Sequence, residues 1–174
     1  MKKNKLVYSW YSLHTRSRFE NVVFEGLEKR AFETFLPKIR VKSKRRDRKI
    51  MINVPLFPGY LFVKTNLNPV EHLEILKTIG AVRLLGNREG PVLVPDESIE
   101  SLRIMTNLDT TVVTGNIIRK GEKVIVVNGP FAGLTGIFLR YKGKGRVVVN
   151  IDTLGQSAGV EIMEEDIEKL SEIN

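Results

Sequence analysis

The chain has no cysteine and only two histidines, and these absences restrict the chemistry it can carry out. Without cysteine there is no disulfide, no thiolate nucleophile and no cysteine-ligated metal. His14 and His72 form no pattern that resembles a metal cluster or a nucleophile–base pair. We therefore expect a protein that is not an enzyme and that needs no cofactor. The lack of cysteine also fits a reducing cytoplasm, where we expect the protein to reside.

Long apolar runs are absent as well. No run approaches the roughly 20 apolar residues of a membrane-spanning helix. The basic start is followed by a short apolar stretch that Ser9 and Ser12 interrupt, so a signal peptide is not expected. A length of 174 residues allows one large domain or two small ones.

Positive charge is concentrated in the first 50 residues, although the whole chain carries a net charge of only +8. Residues 1–50 hold 15 Lys and Arg against 5 Asp and Glu, and residues 38–49 alone hold eight basic groups and one acid, Asp47. A patch of this density favours a polyanion partner, because neutralising phosphates releases their counterions. The alternative is a solvated loop that only aids solubility. We favour nucleic acid.

Residues 54–63 have the sequence Val-Pro-Leu-Phe-Pro-Gly-Tyr-Leu-Phe-Val, in which a conformationally restricted segment with two prolines precedes a short predicted strand. Proline resists a ladder position and Gly59 permits a bend, so we expect the strand to start at Tyr60. Alternation of side chains then puts Tyr60, Phe62 and Lys64 on one face. The charge of Lys64 indicates that this face reaches solvent and serves as a docking surface. The alternative is that both aromatic residues are core residues beneath a helix.

The pattern over residues 1–108 predicts the order β-α-β-β-α-β plus an extra helix. Ser17 and Glu20 predict a capping box at the first helix, and Asn68-Pro69 predicts the start of the second. The predicted apolar face of the second helix consists of Val70, Leu73, Leu76 and Ile79. Strictly alternating cations from Lys38 onward predict a hairpin with a basic tip. This order is typical of an α+β, ferredoxin-like (split βαβ) domain.

The pattern changes near residue 109. Strand-like runs occur at residues 123–127, 136–141, 146–151 and 159–163, with glycine-rich turns between them. Short strands at this spacing predict a small β-barrel, followed by a final helical turn at residues 164–170. We therefore predict domains at residues 1–108 and 119–174, joined by a linker at residues 109–118.

Two motifs resemble those of a known family. Residues 121–136 present Phe131 on a Gly-Pro-Phe-Ala-Gly turn between two strands and resemble the KOW motif of SH3-like barrels in transcription and ribosomal proteins. Phe57-Pro58-Gly59-Tyr60 with its following strand resembles the amino-terminal domain of the NusG family. Together and in this order, the two motifs identify the chain as a member of the NusG family. The resemblance implies that the predicted barrel is an SH3-like β-barrel (KOW) domain.

Within that family, several segments resemble the specialised UpxY-type antiterminators. These are Trp10-Tyr11 with His14-Thr15-Arg16, Phe35-Leu36-Pro37, Asp47-Arg48-Lys49 and residues 55–60. The resemblance implies a transcription elongation and antitermination factor that binds the clamp helices of transcribing bacterial RNA polymerase and suppresses pausing or termination.

The resemblance also implies site residues. The candidates for polymerase binding are Phe57, Tyr60, Phe62, Ile99 and Leu102. The last two fit equally well as residues that pack the third helix onto the sheet. The candidates for contact with upstream or non-template DNA are Arg16, Arg18, Arg45, Arg46, Arg48 and Lys49. We expect these cations to contact phosphates rather than bases.

In the family, the barrel recruits a second partner, which is ribosomal protein S-ten or the termination factor Rho. Phe131 and Leu154 are the matching candidates here. Housekeeping members usually carry Thr-Pro before a Val-Glu pair, and this chain has Ala158-Gly159 before Val160-Glu161. That difference argues against recruitment of Rho or the ribosome. We expect a monomer with no membrane partner.

Two alternatives remain. The first is a housekeeping NusG that couples polymerase to Rho or the ribosome. The second is a KOW-type RNA-binding ribosomal or RNA-processing protein. The second alternative predicts a basic barrel, whereas the excess charge lies in residues 1–50.

Overall fold

A computed structural model describes residues 7–44 and 50–170. The chain divides into two compact units, one ending at Pro95 and the other beginning at Asp96. None of the helices that the model describes combines the length and apolar character needed to cross a lipid bilayer.

The first unit is a mixed α/β structure. Its main antiparallel sheet has the strand order β2-β5-β1-β6, with β9 also paired to β1. Within residues 7–44 and 50–170, strands β3 and β4 pair with each other in a separate ribbon, as do β7 and β8. The elements in chain order are β1 (Ser9–Thr15), α1 (Glu20–Glu28), β2 (Glu33–Phe35), β3 (Lys38–Lys42), β4 (Met51–Pro55), β5 (Tyr60–Thr65), α2 (Pro69–Leu76), β6 (Ala81–Leu84), β7 (Gly86–Asn87), β8 (Gly90–Pro91) and β9 (Leu93–Val94).

The core of this unit lies between one face of the main sheet and the two helices. Leu13 on β1 faces Leu61 on β5 and Leu84 on β6, so three adjacent strands present leucine at one level. Because side chains alternate along a strand, these leucines share one face. They belong to a buried cluster with residues of α1 and α2, namely Val23, Leu27 and Ile75.

The start of α1 differs from the prediction. Phe19 occupies the N-cap position and no side chain caps the helix, so the capping box predicted from Ser17 and Glu20 is wrong. The Glu20 carboxylate instead accepts a hydrogen bond from the backbone N–H of Gly59 at 2.6 Å. The Glu20 side chain therefore bonds to the turn before β5 rather than to the start of its own helix.

The start of α2 is as predicted, but its buried face is not. The Asn68 side chain accepts hydrogen bonds from the N–H groups of Val70 and Glu71, each at 3.0 Å. Only Ile75 of this helix is fully buried. The four residues predicted to form its apolar face are all exposed: Val70, Leu73, Leu76 and Ile79.

The second unit consists of a helix and an antiparallel sheet of order β10-β14-β13-β12-β11-β15. Four of its strands confirm the strand predictions for this part of the chain to within a few residues. Its elements are α3 (Asp96–Thr106), β10 (Val113–Asn116), β11 (Glu122–Val126), β12 (Thr135–Tyr141), β13 (Lys144–Ile151), β14 (Gln156–Glu161) and β15 (Ile167–Lys169).

Two parts of this unit differ from the sequence prediction. The segment predicted as a final helical turn is a 3₁₀ turn, Glu164–Asp166, followed by β15, which pairs with β11. The segment predicted as a linker contains β10, which pairs with β14. The Ser157 hydroxyl also donates to the Asn116 carbonyl at 2.8 Å. A sheet edge offers unpaired backbone groups, and β10 satisfies those of β14.

Candidate functional site

Tyr60 and His14 form a stacked pair on the main sheet of the first unit. They lie directly opposite each other on β5 and β1, with ring centroids 5.2 Å apart and ring planes 30° apart. Both side chains are half-buried, so each keeps part of its surface in contact with solvent. A partly exposed aromatic pair on a rigid sheet is suited to anchor a partner, because aromatic side chains often dominate interface energetics.

A turn before β5 fixes the position of Tyr60. Gly59 has φ +85°, in the left-handed region that glycine adopts without strain. Its carbonyl accepts the N–H of Thr15 at 2.8 Å, and its own N–H donates to Glu20. The bend predicted at Gly59 is therefore present, and β1 and α1 both hold it in place.

The two phenylalanines of the same motif are buried. Phe57 is 1% exposed and Phe62 is 0% exposed, so neither ring reaches solvent, although Tyr60 and Lys64 on the same face as Phe62 are half-buried. The Phe62 ring lies 6.1 Å from Phe35 in a stacked arrangement and 6.4 Å from Phe57 in an edge-to-face arrangement. Burial of this large aromatic cluster supports the strand that presents Tyr60.

Exposed cations lie near the aromatic pair. Arg83 on β6 is the cross-strand partner of His14, so Tyr60, His14 and Arg83 line up across three strands. The predicted cations Arg16 and Arg18 are exposed in the segment between β1 and α1. The other four predicted cations lie outside the described residues: Arg45, Arg46, Arg48 and Lys49.

Sequence reasoning missed Arg83 and undervalued His14. The sequence alone allowed His14 to stack on a base but favoured a structural role for it, and it did not single out Arg83. The signal for both is the pairing of β1 with β5 on one side and β6 on the other. That pairing joins segments far apart in sequence, and periodicity within one segment does not report it.

The two predicted contacts on α3 are buried within the second unit. Ile99 and Leu102 are both 0% exposed. Between them, the Ser101 hydroxyl donates to the Thr135 carbonyl at 3.1 Å and accepts the Thr135 N–H at 3.0 Å. The helix α3 is thus hydrogen-bonded to the start of β12. Their burial agrees with the packing alternative, but the partner is the sheet of the second unit rather than the sheet of the first.

The barrel candidates are less exposed than predicted. Phe131, expected to be presented on its turn, is only 9% exposed. Leu154 is half-buried in the 3₁₀ turn Asp152–Leu154. Gly133, with φ +91°, closes the Phe131 turn, and a Cβ added there would lie 3.5 Å from Ile104 of α3. The turn therefore lies against α3.

A polar network links the start of β1 to α2. The Tyr8 hydroxyl donates to one oxygen of Glu71 at 2.9 Å, and the Thr65 hydroxyl donates to the other at 2.6 Å. The hydrogen bond to Glu71 raises the pKa of Tyr8 above 10.0. Partial burial favours a higher pKa for Glu71, but the bonds it accepts outweigh burial and lower that pKa below 4.5.

Comparison with known proteins gives a consistent result. The family model described as "NusG: Transcription termination factor nusG" matches residues 8–103. The "Transcription termination/antitermination protein NusG" of Thermus thermophilus is 31% identical over 172 residues, which cover 88% of this chain and 94% of that protein. The protein of the same name from Rickettsia bellii is 24% identical over 170 residues, covering 92% of this chain and 89% of that protein.

A solved structure described as "Domain interaction in Thermotoga maritima NusG" is similar in fold. It matches with a TM-score of 0.55 and 20% sequence identity, covering 95% of this chain and 99% of that one. All three proteins are similar over nearly their whole length, so the similarity extends beyond the segment matched by the family model.

Proposed function

The chain belongs to the NusG family of transcription termination/antitermination factors, and on that premise we propose that it binds transcribing RNA polymerase and suppresses pausing or termination. The observation that carries the proposal is the half-buried Tyr60–His14 pair with the exposed cations beside it. An aromatic anchor is suited to contact the surface of polymerase. The exposed cations are suited to contact the nucleic acid that emerges from polymerase. The proposed partners are the clamp helices of bacterial polymerase and upstream or non-template DNA.

The proposed action is mechanical rather than chemical. A factor that contacts both polymerase and DNA disfavours opening of the clamp, provided that it binds the closed state more tightly. Tyr60 is the proposed anchor, while Phe57 and Phe62 support it from the core. Arg16 and Arg18 are the proposed phosphate contacts among the described residues, with Arg45, Arg46, Arg48 and Lys49 proposed from sequence alone.

Ile99 and Leu102 belong to the proposed polymerase-binding surface only when α3 is detached from the sheet of the second unit. Their burial in the second unit means that α3 offers them to polymerase only after leaving the barrel sheet. Detachment of α3 would require the two hydrogen bonds between Ser101 and Thr135 to break. We therefore propose that the free protein withholds this part of its binding surface.

We assign the first unit to the ferredoxin-like fold and the second to an SH3-like barrel that carries the KOW motif. The order β2-β5-β1-β6 supports the first assignment, because a split βαβ unit places its first and third strands at the centre. The predicted division into residues 1–108 and 119–174 is retained only as a proposal for the state in which α3 has left the barrel.

The test of polymerase binding uses purified core polymerase and the full chain. Tyr60→Ala should weaken binding by about thirtyfold or more, since aromatic hot spots contribute at least about 2 kcal/mol. Met163→Ala is the matched control, because Met163 is an exposed apolar residue of the barrel unit. Unchanged affinity for a folded Tyr60→Ala variant would contradict the assignment.

The specialised role is tested separately from polymerase binding. We propose an UpxY-type antiterminator rather than a housekeeping factor, with limited access to Phe131 and the Ala158-Gly159 sequence as support. The full chain should reduce termination in a purified transcription assay without stimulating Rho. Rho stimulation that disappears in Phe131→Ala would favour the housekeeping alternative.

A further inference from the structure

Strand β10 is held on the sheet of the second unit by its backbone rather than by its side chains. Its four residues pair with β14, from Val113 opposite Gly159 to Asn116 opposite Gln156. All four side chains of β10 are exposed, whereas the four central residues of β14 are buried. Burial of apolar surface therefore contributes little to the attachment of β10.

Two polar side chains of the sheet bind the backbone of this segment. Asn150 on β13 and Ser157 on β14 lie directly opposite each other, so their side chains share one face. The Asn150 side chain accepts the N–H of Ile118 at 3.0 Å and donates to the carbonyl of the same residue at 2.6 Å. The Ser157 hydroxyl donates to the carbonyl of Asn116 at 2.8 Å. We call these two side chains the backbone clamp.

We propose that the backbone clamp is a latch, which holds residues 113–118 on the sheet in one state and releases them in another. In the latched state six residues, 107–112, connect the end of α3 to the start of β10. In the released state fifteen residues, 107–121, connect the end of α3 to the start of β11. The latch thus sets the length of chain between α3 and the sheet on which α3 packs.

The two states are close in free energy because the pairing of β10 gains little by itself. Ordering the backbone of one residue costs free energy of about the same size as the net gain from one hydrogen bond. The pairing of β10 with β14 therefore roughly offsets the ordering of its residues. The three hydrogen bonds of the backbone clamp then decide which state is more populated. A segment held in this way opens locally, without unfolding of the whole unit.

The latch is coupled to α3 through the entropy of closing a loop. Docking of α3 on the sheet closes a loop of six residues in the latched state and of fifteen in the released state. The entropic cost of closure grows with the logarithm of loop length, so α3 docks about fourfold less favourably once the latch is released. Because such coupling is reciprocal, departure of α3 raises the ratio of released to latched segment about fourfold. This step rests on the proposed function, in which α3 leaves the sheet to bind polymerase.

The experiment follows a nitroxide spin label on Thr114→Cys in the full chain. The chain has no cysteine, so the label attaches at this position alone, and Thr114 is exposed. The electron paramagnetic resonance spectrum separates a restrained component from a mobile one, and their ratio reports the two states. Asn150→Ala should raise the ratio of mobile to restrained label about tenfold, because it removes both hydrogen bonds to Ile118.

Two further variants in the labelled chain grade and control this effect. Ser157→Ala removes one hydrogen bond of the clamp and should raise the ratio about threefold. Asn116→Ala is the matched control for Asn150→Ala, because the clamp uses the backbone carbonyl of Asn116 and not its side chain. This control should leave the ratio unchanged.

Coupling of the latch to α3 is tested first without polymerase. Ser101→Ala removes both hydrogen bonds between α3 and Thr135, and it should raise the ratio of mobile to restrained label by up to about fourfold. Thr106→Ala, elsewhere on α3, should leave the ratio unchanged. Core polymerase added to the labelled parent should raise the ratio as Ser101→Ala does.

The outcomes separate the latch from the proposed function. A label as restrained in Asn150→Ala and Ser157→Ala as in the parent would overturn the latch, and so would an equal rise in Asn116→Ala. An unchanged ratio in Ser101→Ala would overturn its coupling to α3. If all the variants behave as expected but core polymerase leaves the parent unchanged, the latch is supported and only the proposed transfer of α3 to polymerase fails.

Discussion

At the scale of single residues, the buried carboxylate of Glu20 is bonded to the turn that precedes Tyr60. It is 5% exposed and accepts the N–H of Gly59, the residue immediately before Tyr60. A hydrogen bond to an ionised acceptor is short and strong. Glu20 therefore acts on the aromatic pair through the backbone turn, although it belongs to α1.

Replacing this carboxylate tests the turn. Glu20→Ala should lower the free energy of unfolding by about 1 to 2 kcal/mol, because the N–H of Gly59 loses its acceptor. Glu25→Ala, at an exposed position of the same helix, is the control and should change stability by less than about 0.5 kcal/mol. Chemical denaturation of both variants measures the difference, and equal stabilities would show that the turn does not depend on Glu20.

At the scale of elements, α2 shows both what the sequence predicts and what it omits. Its start was predictable, because Asn68 and Pro69 form a local capping signal. Its buried face was not, because several apolar residues lie around an eight-residue helix and only tertiary packing decides which is covered. Ile75 meets the core cluster, whereas Leu73 is 52% exposed.

These two residues of α2 should respond differently to truncation. Ile75→Ala should cost about 2 to 5 kcal/mol, since it leaves a cavity in the core. Leu73→Ala should change stability by less than about 0.5 kcal/mol. Thermal or urea unfolding of the two variants measures both values. A larger loss of stability for Leu73→Ala than for Ile75→Ala would support the apolar face predicted from periodicity.

The same limit applies to the aromatic motif and to α3. Strand β5 and its bend were predictable from Pro58, Gly59 and the residues that follow. The burial of Phe62 was not, because it depends on Phe35 and Phe57 arriving from other segments. Likewise, the packing alternative for Ile99 and Leu102 placed the third helix on the sheet of residues 1–108, whereas α3 packs on the sheet of the second unit. A contact such as that between Ser101 and Thr135 leaves no periodic signal.

The attachment of α3 to β12 gives a prediction of its own. Ser101→Ala removes two hydrogen bonds and leaves the N–H and carbonyl of Thr135 without this partner, at a cost of about 1 to 3 kcal/mol. Under our proposal, core polymerase should bind this variant more tightly. Thr106→Ala is the control, because its hydroxyl bonds to the carbonyls of Leu102 and Arg103 within α3 itself. Weaker polymerase binding by Ser101→Ala would contradict the withheld surface.

At the scale of the whole molecule, stability should depend on pH through the Tyr8–Glu71 pair. The pKa of Glu71 is lowered in the folded state, so its contribution is complete above about pH 4.5 and is lost as pH falls through the folded value. The pKa of Tyr8 is raised, so its contribution is complete below pH 10.0 and is lost as pH rises through the folded value.

Replacing Tyr8 separates the two limbs of this pH dependence. Tyr8→Phe should abolish the alkaline loss attributed to Tyr8 and reduce the acid loss, because Thr65 and the Asn66 backbone still donate to Glu71. Urea unfolding between pH 3 and pH 11, compared with Tyr60→Phe as the control, measures both limbs. If the stability of Tyr8→Phe falls at alkaline pH as much as that of the parent protein, groups other than Tyr8 cause that fall.

Whole-molecule organisation was predictable where turns and strand-forming runs are regular, as in β11 to β14. It was not predictable where a polar segment joins a sheet edge. Residues 109–118 lack a strong strand pattern, yet β10 within them pairs with β14. Most of this pairing uses backbone N–H and C=O groups, which every residue except proline carries, so it leaves little pattern in the sequence.

The strand β10 also determines how far α3 can travel. Residues 107–112 are all that join the end of α3 to the start of β10, and six residues span at most about 20 Å when fully extended. A detached α3 would therefore stay at a local concentration of about millimolar near its site on the sheet of the second unit. A partner that binds α3 must compete with the sheet of the second unit, which residues 107–112 keep close to α3. A flexible insert that lengthens this six-residue connection would change the strength of that competition.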